Sequence, residues 1–190
     1  MRSLRIALDI DGVLADTMRI WLKLCNDRFD MNLTYDQIDR WNFWRDKGME
    51  EIDMETLFND AWEDWKTLPP TENNLSRKVE LLHELGIVDI VTARNSMTIA
   101  NVTKWLDKEK IRRNSVVVVE PDQTKGHLDY DVFIDDSPLN LLDIADKGKF
   151  ALCYDQPWNR NISQRENLLR IRGLSDACAR IRSLLNSHDE

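Results

Sequence analysis

The stretch LRIALDIDGVLAD at positions 4–16 opens as an apolar run and closes in a cluster of carboxylates. Leu4, Ile6, Ala7 and Leu8 have the composition of a strand buried on both faces, as in a parallel sheet. Such a strand delivers Asp9 and Asp11 at its carboxyl end, where open α/β sheets bind their ligands. Two carboxylates crowded into a cleft repel, and that cost is normally offset by a bound cation or by a raised pKa. Either remedy serves phosphoryl transfer. Mg²⁺, which prefers an octahedral shell of hard oxygens, suits the carboxylates and carbonyls of this turn.

Working outward, further short β-branched runs predict strands at 87–92, 116–119, 132–135 and 150–153, which with 4–9 makes five. Helical patterns separate them at 75–85, 97–108 and 138–146, with a last helix near 175–185. Gly86 and Gly148 stand where helix C-terminal glycines belong. The alternation predicts an α/β fold: a Rossmann-like parallel five-stranded sheet with helices on both faces.

One segment interrupts this rhythm. Positions 17–74 are far more than a single crossover helix requires, so they read as an inserted helical subdomain, with 1–16 and 75–190 forming the core. Ile20, Trp21, Leu24, Cys25 and Phe29 make one helical stripe, and Leu57, Phe58, Ala61, Trp62 and Trp65 another. Thr34 and Gln37 form a capping-box pattern that opens a helix between them, and Pro69 and Pro70 end the second striped helix.

Composition narrows the function. A formal net charge of -8 argues against a nucleic-acid polymer as partner, because binding phosphate backbones needs clustered Lys and Arg. Cys25, Cys153 and Cys178 are odd in number and lack a CxxC pair, as in a chain kept reduced in the cytoplasm. The N-terminus lacks the apolar core of a signal peptide, and no run of about 18 apolar residues exists to span a membrane. His83, His127 and His188 show no metal-ligand spacing. No feature of the sequence fixes an oligomeric state.

A second acidic pair, Asp135 and Asp136, follows the run Val132-Phe133-Ile134, so another strand ends in the same chemistry. An isolated acid after a strand is as often a turn or cap residue; two such clusters together point to a metal site. A third strand end offers the Thr92 hydroxyl, the Ala93 backbone N–H and the Arg94 guanidinium to phosphate oxygens. Lys125, in a stretch without apolar periodicity, supplies a fixed positive charge.

DIDGVLAD (9–16), VTAR (91–94), Lys125 and FIDDSP (133–138), in that order, resemble the four motifs of the haloacid dehalogenase superfamily of phosphatases. Within it, DGVLAD, IDD and the later DQPWNR (155–160) resemble the 5′(3′)-deoxyribonucleotidase family. The resemblance implies a magnesium-dependent phosphomonoesterase in which Asp9 is the nucleophile that forms an aspartyl-phosphate, and Asp11 is the acid/base. It also implies Mg²⁺ on Asp9, the Asp11 carbonyl and one of Asp136 and Asp135, Asp136 in the family's usual arrangement, with the other holding metal-bound water and Lys125. Thr92 and the Ala93 N–H would bind the phosphoryl group, and Lys125 would balance charge on the nucleophile and phosphoryl oxygens.

The insertion fits the same resemblance, since a helical cap after the first motif covers the site and excludes water. Trp41, Phe43 and Trp44 lie in a polar-interrupted run where rings can face the cleft and stack on a base. The expected substrate is thus a small phosphorylated metabolite, most specifically a (deoxy)nucleoside monophosphate. The rivals are a phosphatase of a sugar phosphate or other small metabolite, and a catalytically idle sensor of nucleotides or a partner protein.

Overall fold

The apolar run at positions 4–8 forms β1 (Leu4–Leu8) at the centre of a wholly parallel sheet in a computed structural model that describes residues 3–94, 96–120 and 123–187. Its companions are β2 (Gly86–Thr92), β3 (Val116–Val118), β4 (Val132–Asp135), β5 (Phe150–Tyr154) and β6 (Leu168–Ile171). The order is β3-β2-β1-β4-β5-β6, so the sheet has six strands rather than the five expected. The additional strand, β6, is a short edge strand interrupted by Arg170 and paired only with β5, so it lacks the apolar run that marks a central strand.

The register explains where the acids meet. β1 lies between β2 and β4, at the point where the strand order reverses. Leu8 pairs with Ile134, and the Asp9 N–H donates to the Ile134 carbonyl at 3.0 Å, so Asp9 and Asp135 leave neighbouring strands side by side.

The helices are α1 (Thr17–Phe29), α2 (Glu51–Glu63), α3 (Leu75–His83), α4 (Ile99–Lys108), α5 (Pro138–Asp146) and α6 (Leu174–Ser187). Strand side chains alternate between faces. Ile6, Leu8, Ile90 and Ile134 pack with residues of α3, α4 and α6, whereas Ala7, Val91, Phe133 and Cys153 pack with α5. Helices therefore cover both faces. Gly148 follows α5 in the left-handed conformation, φ +74°, as expected. Gly86 instead begins β2, with no positive φ, and a Cβ there would lie 2.3 Å from the Leu4 carbonyl oxygen. Close strand approach, and not helix termination, is what requires glycine at that position.

β2 also carries a buried charge, Asp89. Burial alone would push its carboxyl up, but hydrogen bonds from Ser115, Asn114 and Tyr130, with Arg5 nearby, outweigh it and hold the pKa below its ordinary value. These bonds tie the approach to β3 and the loop before β4 to β2. All three cysteines are free and buried, and no helix among the described residues is long and apolar enough to cross a membrane.

The segment between β1 and α3 contains α1, α2 and two 3₁₀ turns, Tyr35–Gln37 and Phe43–Lys47. The Thr34–Gln37 capping box forms, but it opens one 3₁₀ turn rather than a longer helix, because no apolar period follows Ile38. Met18, Trp21, Cys25, Phe43, Trp44 and Leu57 build a separate apolar cluster. The chain leaves and returns side by side: Asp16 donates to the Pro69 carbonyl, Thr71 donates to the Leu14 carbonyl, and Ala15 pairs with Pro70. Trp62 of α2 departs from its stripe to pack edge-on against Trp105 of α4, 6.1 Å between centroids, which fixes α2 to the core.

Candidate active site

Asp9 follows β1, and Lys125 reaches it from a 3₁₀ turn, Lys125–His127, that rests on α5. That turn is held by Asp143, which accepts from the Thr124 hydroxyl and the Gly126 N–H, while the Lys125 N–H donates to Asn140. The Lys125 ammonium, 2% exposed, lies 2.7 Å from Asp9 Oδ1 and 2.7 Å from Asp135 Oδ2. Burial works against that charge, but Asp135 and Asp9 outweigh it and hold the ammonium pKa above its ordinary value. Asp135 Oδ1 accepts from the Ser137 N–H at 2.8 Å, and Asn140 donates to both Asp135 oxygens. Ser137 caps the start of α5, so the helix that supports Lys125 also orients Asp135.

Asp136 is placed by residues that sequence reasoning left without a role. Trp158 Nε1 donates to Asp136 Oδ2 at 3.0 Å, and Asn159 donates to the Asp136 carbonyl. Gln156 donates to the Gly12 carbonyl at 2.6 Å and accepts from the Tyr35 hydroxyl. The 155–160 segment thus clamps Gly12 and Asp136 from behind. Gly12 has φ +73°, and a Cβ on it would lie 2.1 Å from Asp136 Oδ2, so only glycine lets the turn pass this carboxylate.

One oxygen each from Asp9, Asp135 and Asp136 falls within 4.8 Å of the others, and all three residues are buried. Burial raises Asp9, Lys125 lowers it, and Asp135 with Asp11 raises it again, for a pKa of about 7. Asp136 is pushed well above its ordinary value by burial and then by Asp9 and Asp135. Crowded, buried, hard oxygen donors are the set a divalent cation such as Mg²⁺ satisfies, so these residues fit the metal the sequence implied. The Asp11 side chain lies outside this triple. Its Oδ1 accepts from Thr17, Trp62 and Arg94.

Asp9, Asp11, Thr92, Ala93, Arg94, Lys125 and Asp136 all border one cavity of about 390 Å³, and Asp135 sits just beneath it. Arg94, expected to hold phosphate oxygens, borders the cavity and donates to Asp11, Thr98 and Asn59. Trp41, Phe43 and Trp44 border the same cavity from the inserted segment. They differ in freedom. Phe43 lies edge-on to Trp21 and Trp44 and is buried, Trp44 is buried with no partner for its Nε1 among the described residues, and Trp41 is 36% exposed. His83 and His127 bond backbone carbonyls away from the acids, and His188 lies outside the described residues.

A β3-β2-β1-β4-β5-β6 sheet that gathers a lysine-bridged pair of aspartates at its reversal point is the arrangement of a haloacid dehalogenase-type phosphatase. The fold is shared with a haloacid dehalogenase-like hydrolase of Streptococcus pneumoniae at TM-score 0.67 and 10% identity, covering 94% of this chain and 98% of that one. It is shared too with a haloacid dehalogenase-like hydrolase of Xanthomonas campestris, TM-score 0.62 and 10% identity over 100% of both chains. CbbY of Rhodobacter sphaeroides, solved in complex with phosphate, matches at TM-score 0.61 and 11% identity over 92% of this chain and 96% of its own. A sequence model of the "5' nucleotidase, deoxy (Pyrimidine), cytosolic type C protein" family matches residues 2–182, and the chain belongs to that family. A nucleotidase of Clostridium acetobutylicum is 27% identical over 188 residues, 93% of this chain and 95% of that protein.

Proposed function

We propose that this phosphatase is a magnesium-dependent nucleotidase that removes phosphate from (deoxy)nucleoside monophosphates through an aspartyl-phosphate on Asp9. The observation that carries this reading is the Lys125 ammonium 2.7 Å from Asp9, which fixes one carboxylate oxygen on the cavity floor and balances its charge. The Asp9 carboxylate attacks phosphorus while the leaving oxygen takes a proton from Asp11. Asp11, now ionised, then takes a proton from the water that attacks the acyl phosphate, releasing phosphate and restoring Asp9. Thr92 and the Ala93 N–H hold the phosphoryl oxygens. Asp9, Asp136 and the Asp11 carbonyl would hold Mg²⁺, with Asp135 supporting its water and Lys125; the ion supplies neutralisation of the charge on the phosphoryl oxygens.

In this reading residues 17–74 are a cap over the core formed by 1–16 and 75–190, and the protein works in the cytoplasm. The apolar cluster of the insertion, which Trp158 joins from the core, and its share of the cavity wall support the cap. Of the three aromatic residues, Trp41 has the most exposed ring and is assigned to stack on the base; Phe43 and Trp44 shape the wall. Trp41→Ala should raise KM for nucleoside monophosphates about five- to a hundred-fold, the equivalent of roughly 1–3 kcal/mol of stacking. Turnover of p-nitrophenyl phosphate and the melting temperature should change little, because Trp41 is part-exposed. Trp44→Ala should instead cost roughly 3–5 kcal/mol of stability and depress activity on every substrate. Phosphate release over a panel of nucleotides and sugar phosphates, for wild type and both variants, tests the assignment. A sugar phosphate preferred over all nucleotides, with Trp41→Ala altering both classes equally, would overturn it.

A further inference from the structure

Asp11 Oδ1 collects donors from three parts of the chain: the Thr17 hydroxyl at 2.6 Å, Trp62 Nε1 at 2.8 Å and Arg94 Nη1 at 2.9 Å. Among the described residues none of these bonds falls on Oδ2, and Asp11 borders the cavity. One oxygen is therefore anchored by three donors in a residue that borders the cavity.

Arg94 is the donor that connects this anchor to the rest of the molecule. It is 8% exposed, and each nitrogen of its fork has a partner in a different element. Nε donates to the Thr98 hydroxyl before α4 at 3.2 Å, Nη1 to Asp11, and Nη2 to Asn59 of α2 at 3.3 Å. Its guanidinium carbon lies 5.5 Å from the Trp62 ring centroid and 5.9 Å from that of Phe58, both on α2. A planar fork with fixed donor directions makes this three-way junction, and a lysine ammonium does not. Trp62, the other long-range donor to Asp11, belongs to the same helix.

We infer that Arg94 is a positioning residue, which holds Asp11 where it exchanges a proton with the leaving oxygen and couples that placement to α2 lying over the site. Resting on the acid/base role proposed for Asp11, it replaces phosphate binding as the role of Arg94. Two steps need Asp11 in one place: giving a proton to the leaving oxygen and recovering one from water. A carboxyl group free to rotate would miss both. Tied to α2, whose Trp62 is packed against Trp105 of the core, the Asp11 carboxyl takes its orientation from that packing.

The test compares kcat/KM for p-nitrophenyl phosphate and phenyl phosphate, which present the same ring and differ in how strongly the leaving oxygen needs a proton. kcat/KM reports steps up to phosphoryl transfer to Asp9, so it senses that proton. Asp11→Asn should lower the phenyl-to-nitrophenyl ratio by about 10²-fold or more, the range of general acid catalysis. Arg94→Met should lower the same ratio about ten-fold or more, and Arg94→Lys, which keeps the charge and guards against loss of folding, by less. Asn59→Leu, which removes only the α2 acceptor, should move the ratio in the same direction by a smaller factor. An Arg94→Met or Arg94→Lys enzyme that loses activity on both substrates equally overturns the inference, whether through a raised KM, as for a phosphate ligand, or through a lowered melting temperature. An unchanged ratio in Asn59→Leu overturns the coupling to α2. If Asp11→Asn itself leaves the ratio unchanged, the acid/base reading falls and the inference with it, whereas a lowered ratio there beside a constant one in the Arg94 variants defeats the inference alone.

Discussion

Asp9→Asn is expected to lower kcat on every phosphomonoester by about 10⁴-fold, with the fold retained. The amide keeps the shape of the carboxylate but has no charged oxygen with which to attack phosphorus. Stability should hold because two effects oppose. Lys125 loses one of its two carboxylate partners but keeps Asp135, while the repulsion that Asp135 and Asp11 exert on Asp9 disappears. Steady-state phosphate release beside a melting curve measures both. A variant with a tenth of wild-type activity would remove Asp9 from the role of nucleophile.

Chelation should have an effect as large. EDTA should abolish turnover, and Mg²⁺ should restore it better than Ca²⁺, whose larger and looser shell misplaces the acids. The pH dependence follows from the sign of the shifts. The Asp9 pKa is raised from 3.8 to about 7, so without a cation this group favours the fold below about pH 4, and that contribution is lost as pH rises through about 7. Asp136 is shifted in the same direction. A bound cation reverses the cost by favouring the carboxylates. The rise in melting temperature produced by saturating Mg²⁺ should therefore be larger near pH 8 than near pH 5.5, and Mg²⁺ affinity should weaken as protons compete below about pH 7. Full activity in EDTA, or a melting temperature indifferent to Mg²⁺ at both pH values, would refute the metal assignment of Asp9, Asp11, Asp135 and Asp136.

How much of this was legible in the sequence depended on the range of each interaction. The strands that carry Asp9, Thr92 and Asp135 are central, and burial on both faces writes itself as mostly apolar runs, broken by Arg5 in β1 and Asp89 in β2. Both β3 and β6 are edge strands, but β3 is an unbroken valine run, whereas β6, Leu-Leu-Arg-Ile, holds one β-branched residue and an arginine and does not read as a strand. Lys125 sits on a single 3₁₀ turn with no periodicity, so only its place among the motifs marked it. The arrangement around Asp11 was not readable at all: Trp62 and Arg94 stand 51 and 83 positions away. Trp62 satisfies a helical stripe equally well as a core residue, and nothing local distinguishes a ring that also donates to a carboxylate. The same holds for Trp158 and Asp136, joined across the β4–β5 pair and a following turn. Gly12 was legible as part of a turn, but the reason it must be glycine, the approach of Asp136, exists only in the folded chain.

The central claim is that phosphate passes through the carboxylate of Asp9. Its most direct test is to quench the enzyme in acid during turnover of a nucleoside monophosphate with Mg²⁺, reduce any acyl phosphate with borohydride, and sequence the peptides by mass. The account predicts homoserine at position 9 in wild type, dependent on substrate and Mg²⁺ and absent from Asp9→Asn. Phosphate release at the wild-type rate with unmodified Asp9 at every quench time, or homoserine at another aspartate, would contradict it.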